Sequence, residues 1–364
     1  MGFSCGIIGL PNVGKSTIFN ALTSACAPVA NYPFCTVDPN IGMVRVPDHR
    51  LEMISNNLNP GKTTYTAIEF VDIAGLVRGA SRGEGLGNKF LGHIREADAL
   101  VHVVRCFDNP DVIHLEGSVK PTHDIEVVET ELLLADLETM EKRLLKTEKA
   151  LKTGDKNAQR DLNLYKRLHE SVSKGIPIRK IEFDDEVQSI LVELHLLTAK
   201  RVLYVANVSE QVLKKGNGYI NQVASYAERE NTSFVVLCGD MEAEMAKLNE
   251  EDKQYFLKDL GLEESGLDRL IKAGYGLLNL ITFYTTVGPE LRAWTVHRGT
   301  KAPKAAGRIH SDMEKGFIRA EVVHFEDFSR LRNLGAAKEK GLLHSEGKDY
   351  QIQDGDIVLF RFNV

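Results

Sequence analysis

Gly9-Leu10-Pro11-Asn12-Val13-Gly14-Lys15-Ser16-Thr17 follows a short apolar run ending in Ile7-Ile8 and leads into Ile18-Phe19-Asn20. Its spacing is that of G-x-x-x-x-G-K-[ST], the P-loop. Gly9 and Gly14 let the backbone curl so that successive N–H groups, from Asn12 through Val13 to Thr17, face phosphate oxygens. Lys15 is placed to reach the β- and γ-phosphates, and the Ser16 hydroxyl to sit on Mg2+. The helix that starts here turns its positive end to the same anion. An apolar strand before the motif and a helical pattern after it separate this stretch from a Gly-rich turn without a ligand. The expectation is an α/β nucleotide-binding domain.

Working outward, Asn31-Tyr-Pro-Phe-Cys-Thr36-Val-Asp-Pro39 is a proline-punctuated loop in which Thr36 is placed to complete a Mg2+ shell. The apolar strand Ala67 to Asp72 ends in Asp72-Ile-Ala-Gly75. Asp72 is expected to hold Mg2+ through water, and the Gly75 N–H to contact the γ-phosphate. Leu76 stands where many GTPases carry the glutamine that orients the attacking water, a task an apolar side chain cannot perform. The stretch from Gly79 to Gly92, with its glycines and with Arg78, Arg82 and Lys89, reads as a switch loop. After the strand Ala99 to Cys106, a loop carrying His114 leaves the sheet edge where ligands sit in open α/β folds. His114 is therefore a candidate to position or deprotonate water, set against the plainer reading of a surface or satisfied histidine.

From Glu129 to Leu197 the pattern becomes helical. Leu133, Leu137, Met140, Leu144 and Leu151, then Ala158, Leu162, Tyr165, Leu168 and Val172, follow the 3-4 spacing of a coiled-coil seam. Between Lys142 and Lys180 there are 12 Lys/Arg against 4 Asp/Glu, a balance that suits a solvated face or a phosphate-backbone partner. The strand Arg201 to Asn207 then resumes the sheet and ends in Asn207-Val208-Ser209-Glu210. Guanine-specific P-loop enzymes place N-K-x-D here. Val208 replaces the lysine, and Glu210, one methylene longer, replaces the aspartate. Leaving buried polar groups of guanine unsatisfied costs about 1–3 kcal/mol. The Asn207 oxygen is expected to accept from the adenine amino group, with Val208 as an apolar wall and the strand end at Cys238 flanking the base. ATP is thus expected to be preferred over GTP.

The 364 residues allow two or three domains, and the 43 % hydrophobic and 26 % charged fractions are those of a globular chain. A net charge of −6 does not advertise nucleic-acid binding, though a sum can hide a basic face. Five dispersed cysteines without a C-x-x-C pair argue against a disulfide framework or zinc site. With no leader pattern and no apolar run of membrane length, a cytoplasmic location, no membrane contact and a monomer are expected. Beyond about Leu280 the chain becomes β-rich, suggesting a small α+β roll. Its strip of Arg292, Trp294, His297, Arg298, Lys301, Lys304, Arg308, Lys315 and Arg319 suits RNA, although Trp294 fits a core equally well.

Taken together, Gly9–Thr17, Asn31 to Thr36, Asp72-Ile-Ala-Gly-Leu-Val and Asn207 to Glu210 resemble the Obg-related P-loop proteins, and among them the ATP-preferring YchF subgroup of ribosome-binding ATPases. The resemblance covers essentially the whole chain. It implies a nucleotide-binding domain over 1–128 and 200–278, an inserted helical coiled-coil hairpin over 129–199, and a β-grasp module similar to a TGS domain over 279–364. It also implies weak ATP hydrolysis with Mg2+, and binding to the ribosome or its large subunit. Asn12 is implied as a ligand for K+ that compensates for the missing glutamine.

Overall fold

The computed structural model describes residues 3–25, 40–73, 86–114, 117–152 and 158–363. Thr36, Gly75, Leu76 and residues 79–85 of the expected switch loop lie outside the described residues. The rest of that loop, from Leu86, is helix rather than loop.

β1 (Ser4–Ile8) is apolar without alternation because it lies inside a sheet, paired in parallel with β4 (Ala67–Asp72) on one side and β5 (Ala99–Arg105) on the other. Before β4 come α1 (Lys15–Ala25), β2 (Ile41–Arg45), α2 (His49–Leu58) and β3 (Lys62–Thr64). α3 (Leu86–Glu96) leads into β5. Then follow α4 (Pro121–Lys152), α5 (Ala158–Ser173), α6 (Asp185–Leu194), β6 (Arg201–Asn207), α7 (Glu210–Lys215), α8 (Gly218–Arg229), β7 (Phe234–Leu237), α9 (Gly239–Met245), α10 (Glu250–Asp259) and α11 (Gly266–Leu277). The first sheet has the order β2-β4-β1-β5-β6-β7, and the pairs from β4 to β7 are parallel. All of β5, and β6 after Arg201, is buried. The P-loop, Asp72, Arg105 and Asn207 therefore emerge at one carboxyl edge, where such sheets bind ligands.

The remaining elements are β8 (Leu280–Val287), β9 (Glu290–His297), α12 (Ala302–Ile309), α13 (Ser311–Lys315), β10 (Phe317–Val323), α14 (Phe325–Leu331), α15 (Leu334–Glu339), β11 (His344–Glu346) and β12 (Ile357–Phe362). They form a second sheet, β11-β10-β12-β8-β9-β3. β8 and β9 make a hairpin around Gly288, whose φ of 60° is the left-handed value a tight turn requires. β12 returns parallel to β8, which gives the β-grasp arrangement. Alternation along Ile281-Thr282-Phe283-Tyr284 sends Ile281 and Phe283 to one face, against Ala302, Ala305 and Phe317. Tyr284 goes to the other, against Leu51, Ile54 and Phe328.

The chain divides into two compact units, Met1–Met43 with Glu69–Gly274, and Val44–Ile68 with Tyr275–Val364. This division differs from the expected boundaries in two ways. Residues 44–68 belong with the C-terminal module, because β3 pairs with β9 and α2 buries Leu51 and Ile54 in that module's core. The helical insertion also does not separate from the nucleotide-binding unit. α4 begins at Pro121 and buries Ile125, Val128 and Leu132 before it becomes the arm. Asp136 on α4 then accepts from Leu197 N (2.8 Å), Thr198 N (2.7 Å) and Thr198 Oγ1 (2.6 Å), tying the arm's return to its outgoing helix. Within the arm, Met140, Tyr165, Leu168 and Val172 are buried in one cluster, with Leu133, Leu137 and Leu144 packed against it, as the seam predicts.

Candidate functional site

The phosphate end is built from backbone that only particular residues allow. Gly14 has φ +96°, and a Cβ there would lie 2.2 Å from Asn207 Nδ2. At Gly9, with φ +146°, it would lie 2.4 Å from Val103 O. Asn12 holds φ 61° without being glycine. Lys15 is 7 % exposed, and its Nζ donates to Leu10 O at 2.8 Å. Burial lowers the Lys15 ammonium to about 8, partly offset by the Asp72 carboxylate. Ser16 Oγ donates to Asp72 Oδ2 at 2.8 Å. Among the described residues, the buried Asp72 Oδ1 has no hydrogen-bond partner. A buried carboxylate oxygen left open beside a P-loop hydroxyl is the donor set a hard, water-carrying cation requires, so Ser16 and Asp72 fit Mg2+. Val13 is buried and Thr17 half-buried.

At the other end, Asn207 is hydrogen-bonded to the P-loop and to the turn before α9. Its Nδ2 donates to Val13 O (2.9 Å) and its Oδ1 accepts from Gly239 N (2.9 Å). The side chain is 5 % exposed, and its oxygen, which has two lone pairs, already accepts once from the protein. Asn207 is a clamp that locks the P-loop to the turn before α9. Val208 and Cys238 are buried as well, and burial raises the Cys238 thiol. Glu210 opens α7, and its Oε1 lies 2.9 Å from Lys214 Nζ on an exposed face.

The loop after β5 is held by a residue that sequence reading passed over. Arg105, 2 % exposed, donates to the carbonyls of Phe107 (3.1 Å), Asn109 (3.1 Å) and Val112 (3.0 Å). The signal was available, since an arginine closing an otherwise apolar buried strand must find acceptors. Asn12 Nδ2 donates to Ile113 O at 3.2 Å, joining this loop to the P-loop. The His114 side chain is buried, with Nε2 2.9 Å from Asp124 Oδ2 in the first turn of α4. In this conformation His114 is engaged with the arm helix, not presented to a water.

The expected basic surfaces are partly neutralised. On the arm, Lys142, Arg160, Lys174, Arg179 and Lys180 pair with Glu138, Glu186, Glu170, Glu129 and Glu230, while Lys146, Lys149 and Lys152 are exposed. In the C-terminal module Lys301 meets Asp349, Lys304 meets Glu314, and Arg319 and Arg361 share Glu321. Trp294 packs against the core, donates to Thr285 Oγ1 (2.9 Å) and carries Arg292 on its ring. No described helix is long and apolar enough to cross a membrane.

Two family models match the chain, one described as a 50S ribosome-binding GTPase over residues 4–149, the other as a YchF-type GTPase C-terminal protein of unknown function over residues 280–363. Curated relatives named ribosome-binding ATPase YchF span the full length of both chains, at 52 % identity in Bacillus subtilis and 49 % in Escherichia coli O157:H7. The solved structure titled Schizosaccharomyces pombe YchF GTPase is 35 % identical, with a TM-score of 0.88 over 99 % of this chain and 98 % of that one. A GTP binding protein from Pyrococcus horikoshii, at 18 % identity and a TM-score of 0.61 over 99 % of this chain and 100 % of that one, shares the fold. On full-length identity of about half, and on a P-loop, an Asp72 site and a β-grasp module in their expected order, the chain belongs to the YchF family.

Proposed function

We propose that this chain is a Mg2+-dependent P-loop ATPase that works as a slow nucleotide switch on the ribosome. The observation that carries the reading is the Ser16–Asp72 pair, with its open carboxylate oxygen beside a buried Lys15. Lys15 leaves the Leu10 carbonyl to bind the β- and γ-phosphates, and the N–H groups of Asn12 to Thr17 line the rest of the triphosphate. Ser16, Thr36 and (through water) Asp72 would hold Mg2+, which would supply charge neutralisation at the γ-phosphoryl oxygens. Gly75 N–H takes a γ-oxygen, and water attacks in line. With Leu76 unable to orient that water, turnover is low. His114, if freed from Asp124, supplies the missing contact, and K+ on Asn12 is the alternative. An unchanged turnover in His114→Ala would remove the histidine from the mechanism.

Adenine preference rests on Val208 and Glu210. The first removes the lysine stem, and the second has a carboxylate one methylene further out than the aspartate that pairs with guanine, on an exposed helix face. The relatives' names divide between ATPase and GTPase, so the discriminating experiment is competition binding. ATP is expected to displace a labelled nucleotide at least about tenfold better than GTP, and equal displacement would favour the GTPase reading. The ribosomal partner is proposed to meet the exposed lysines of the arm and the TGS-like module, in the cytoplasm and as a monomer. Co-sedimentation with ribosomes, with and without ATP, tests it. A Lys15→Ala chain that kept both ribosome association and cellular function would make the nucleotide a structural ligand only.

A further inference from the structure

β4 has two ends with different duties. Its last residue, Asp72, accepts from Ser16. Its first, Ala67, follows Thr66, which belongs to the C-terminal unit. β2 runs alongside: Asp72 N donates to Asn40 O (2.8 Å) and Val46 N to Thr66 O (3.0 Å), so the two strands form an antiparallel ribbon bonded at both ends.

Between Val46 and Thr66 the chain makes α2 and β3, and both are fastened to the C-terminal sheet. Asp48 caps α2 through Arg50 N and accepts from Tyr284 Oη. The Arg50 guanidinium spans two carboxylates, with Nε 3.1 Å from Asp48 Oδ1 and Nη1 3.1 Å from Asp354 Oδ2. Leu51 and Ile54 are fully buried beside Tyr284 and Leu291. Thr64 Oγ1 donates to Glu290 Oε1 (2.7 Å) where β3 pairs with β9. Pairing fixes the register, because a one-residue slip would turn every side chain to the wrong face. The Asp72–Asn40 end and the Thr66–Val46 end thus belong to one continuous pair of strands.

We propose that residues 44–68 are the transmission element of the nucleotide cycle: filling the phosphate site at Asp72 tightens α2 and β3 on the Tyr284 face of the C-terminal sheet. By linkage, load on that face is returned as a change in nucleotide affinity. The inference rests on the nucleotide-binding reading above and adds the route by which occupancy leaves the site.

Hydrogen exchange on the full chain, with and without the magnesium complex of a non-hydrolysable ATP analogue, tests it. Amides of 10–20 report binding, those of 49–58 and 350–357 report transmission, and those of 302–309, on the opposite face of the same sheet, are the control. Exchange in the first three segments is expected to slow about threefold or more, with 302–309 unchanged. Arg50→Lys keeps the charge but cannot bridge two carboxylates, so the response at 350–357 should shrink while 10–20 stays protected. Protection of 10–20 with no change at 49–58 would overturn the inference and leave the function standing. Equal slowing at 302–309 would reduce it to general stabilisation and overturn it as well. No response at 10–20 would sink the nucleotide reading, and the inference with it.

Discussion

The phosphate end and the expected base end of the site are built on opposite terms. Around the phosphates the described participants are bonded within the protein: Lys15 to Leu10 O, Ser16 to Asp72, and Val13 to Asn207. At the expected base end, Glu210 rides an exposed helix and pairs with Lys214. Preorganised backbone recognises triphosphate regardless of base, whereas an exposed carboxylate confers little binding energy of its own. The difference teaches that affinity and specificity are separable here, and that the two ends should fail in different ways.

The largest expected effect breaks the phosphate end. Gly14→Ala sets a Cβ against Asn207 at φ +96°, and strain of about 1–3 kcal/mol plus displacement of the clamp should cost roughly 100-fold in affinity for ATP and GTP alike. Asn207→Ala comes next. It strands Val13 O and Gly239 N–H in a buried place at about 1–3 kcal/mol, lowering both nucleotides' affinity by about 10- to 100-fold in calorimetric titration. A changed ATP-to-GTP ratio in this variant would show that Asn207 reads the base after all, and the contrast between the ends would collapse. Val208→Lys combined with Glu210→Asp should do the reverse, moving the ratio about tenfold toward GTP while ATP binding changes little. The smallest effect is a pH dependence. Lys15 loses its proton near 8 in the free protein and must regain it to hold phosphate, so affinity is expected to fall as pH rises. Roughly threefold should be lost between pH 7.5 and 8.5, and Lys15→Arg should remove the slope.

Some of this was legible in the chain because it is local. The P-loop, the strand Arg201 to Asn207, the hairpin around Gly288 and the seam of Leu133, Leu137 and Met140 each declare themselves within a few residues through glycine position or periodicity. What the chain did not disclose is the partners that the fold supplies. Asn207 carries the type expected of a base contact, yet its two bonds go to Val13 and Gly239, and only the meeting of β6, β7 and the P-loop turn reveals them. His114 lies beside a ligand edge, but its partner Asp124 is fixed by where α4 begins. The excursion 44–68 has no composition that marks it as foreign to the first domain.

What the sequence determined by itself is the phosphate turn, because G-x-x-x-x-G-K-S sets the backbone torsions and places Lys15 and Ser16 in one continuous stretch. The tertiary structure alone decided what surrounds that turn. Strand packing brings Asn207 onto Val13 and Gly239, burial lowers Lys15, and strand pairing hands Val44–Ile68 to the C-terminal unit. The reason is physical: torsions are local, whereas desolvation and hydrogen-bond partners depend on what the folded chain brings alongside.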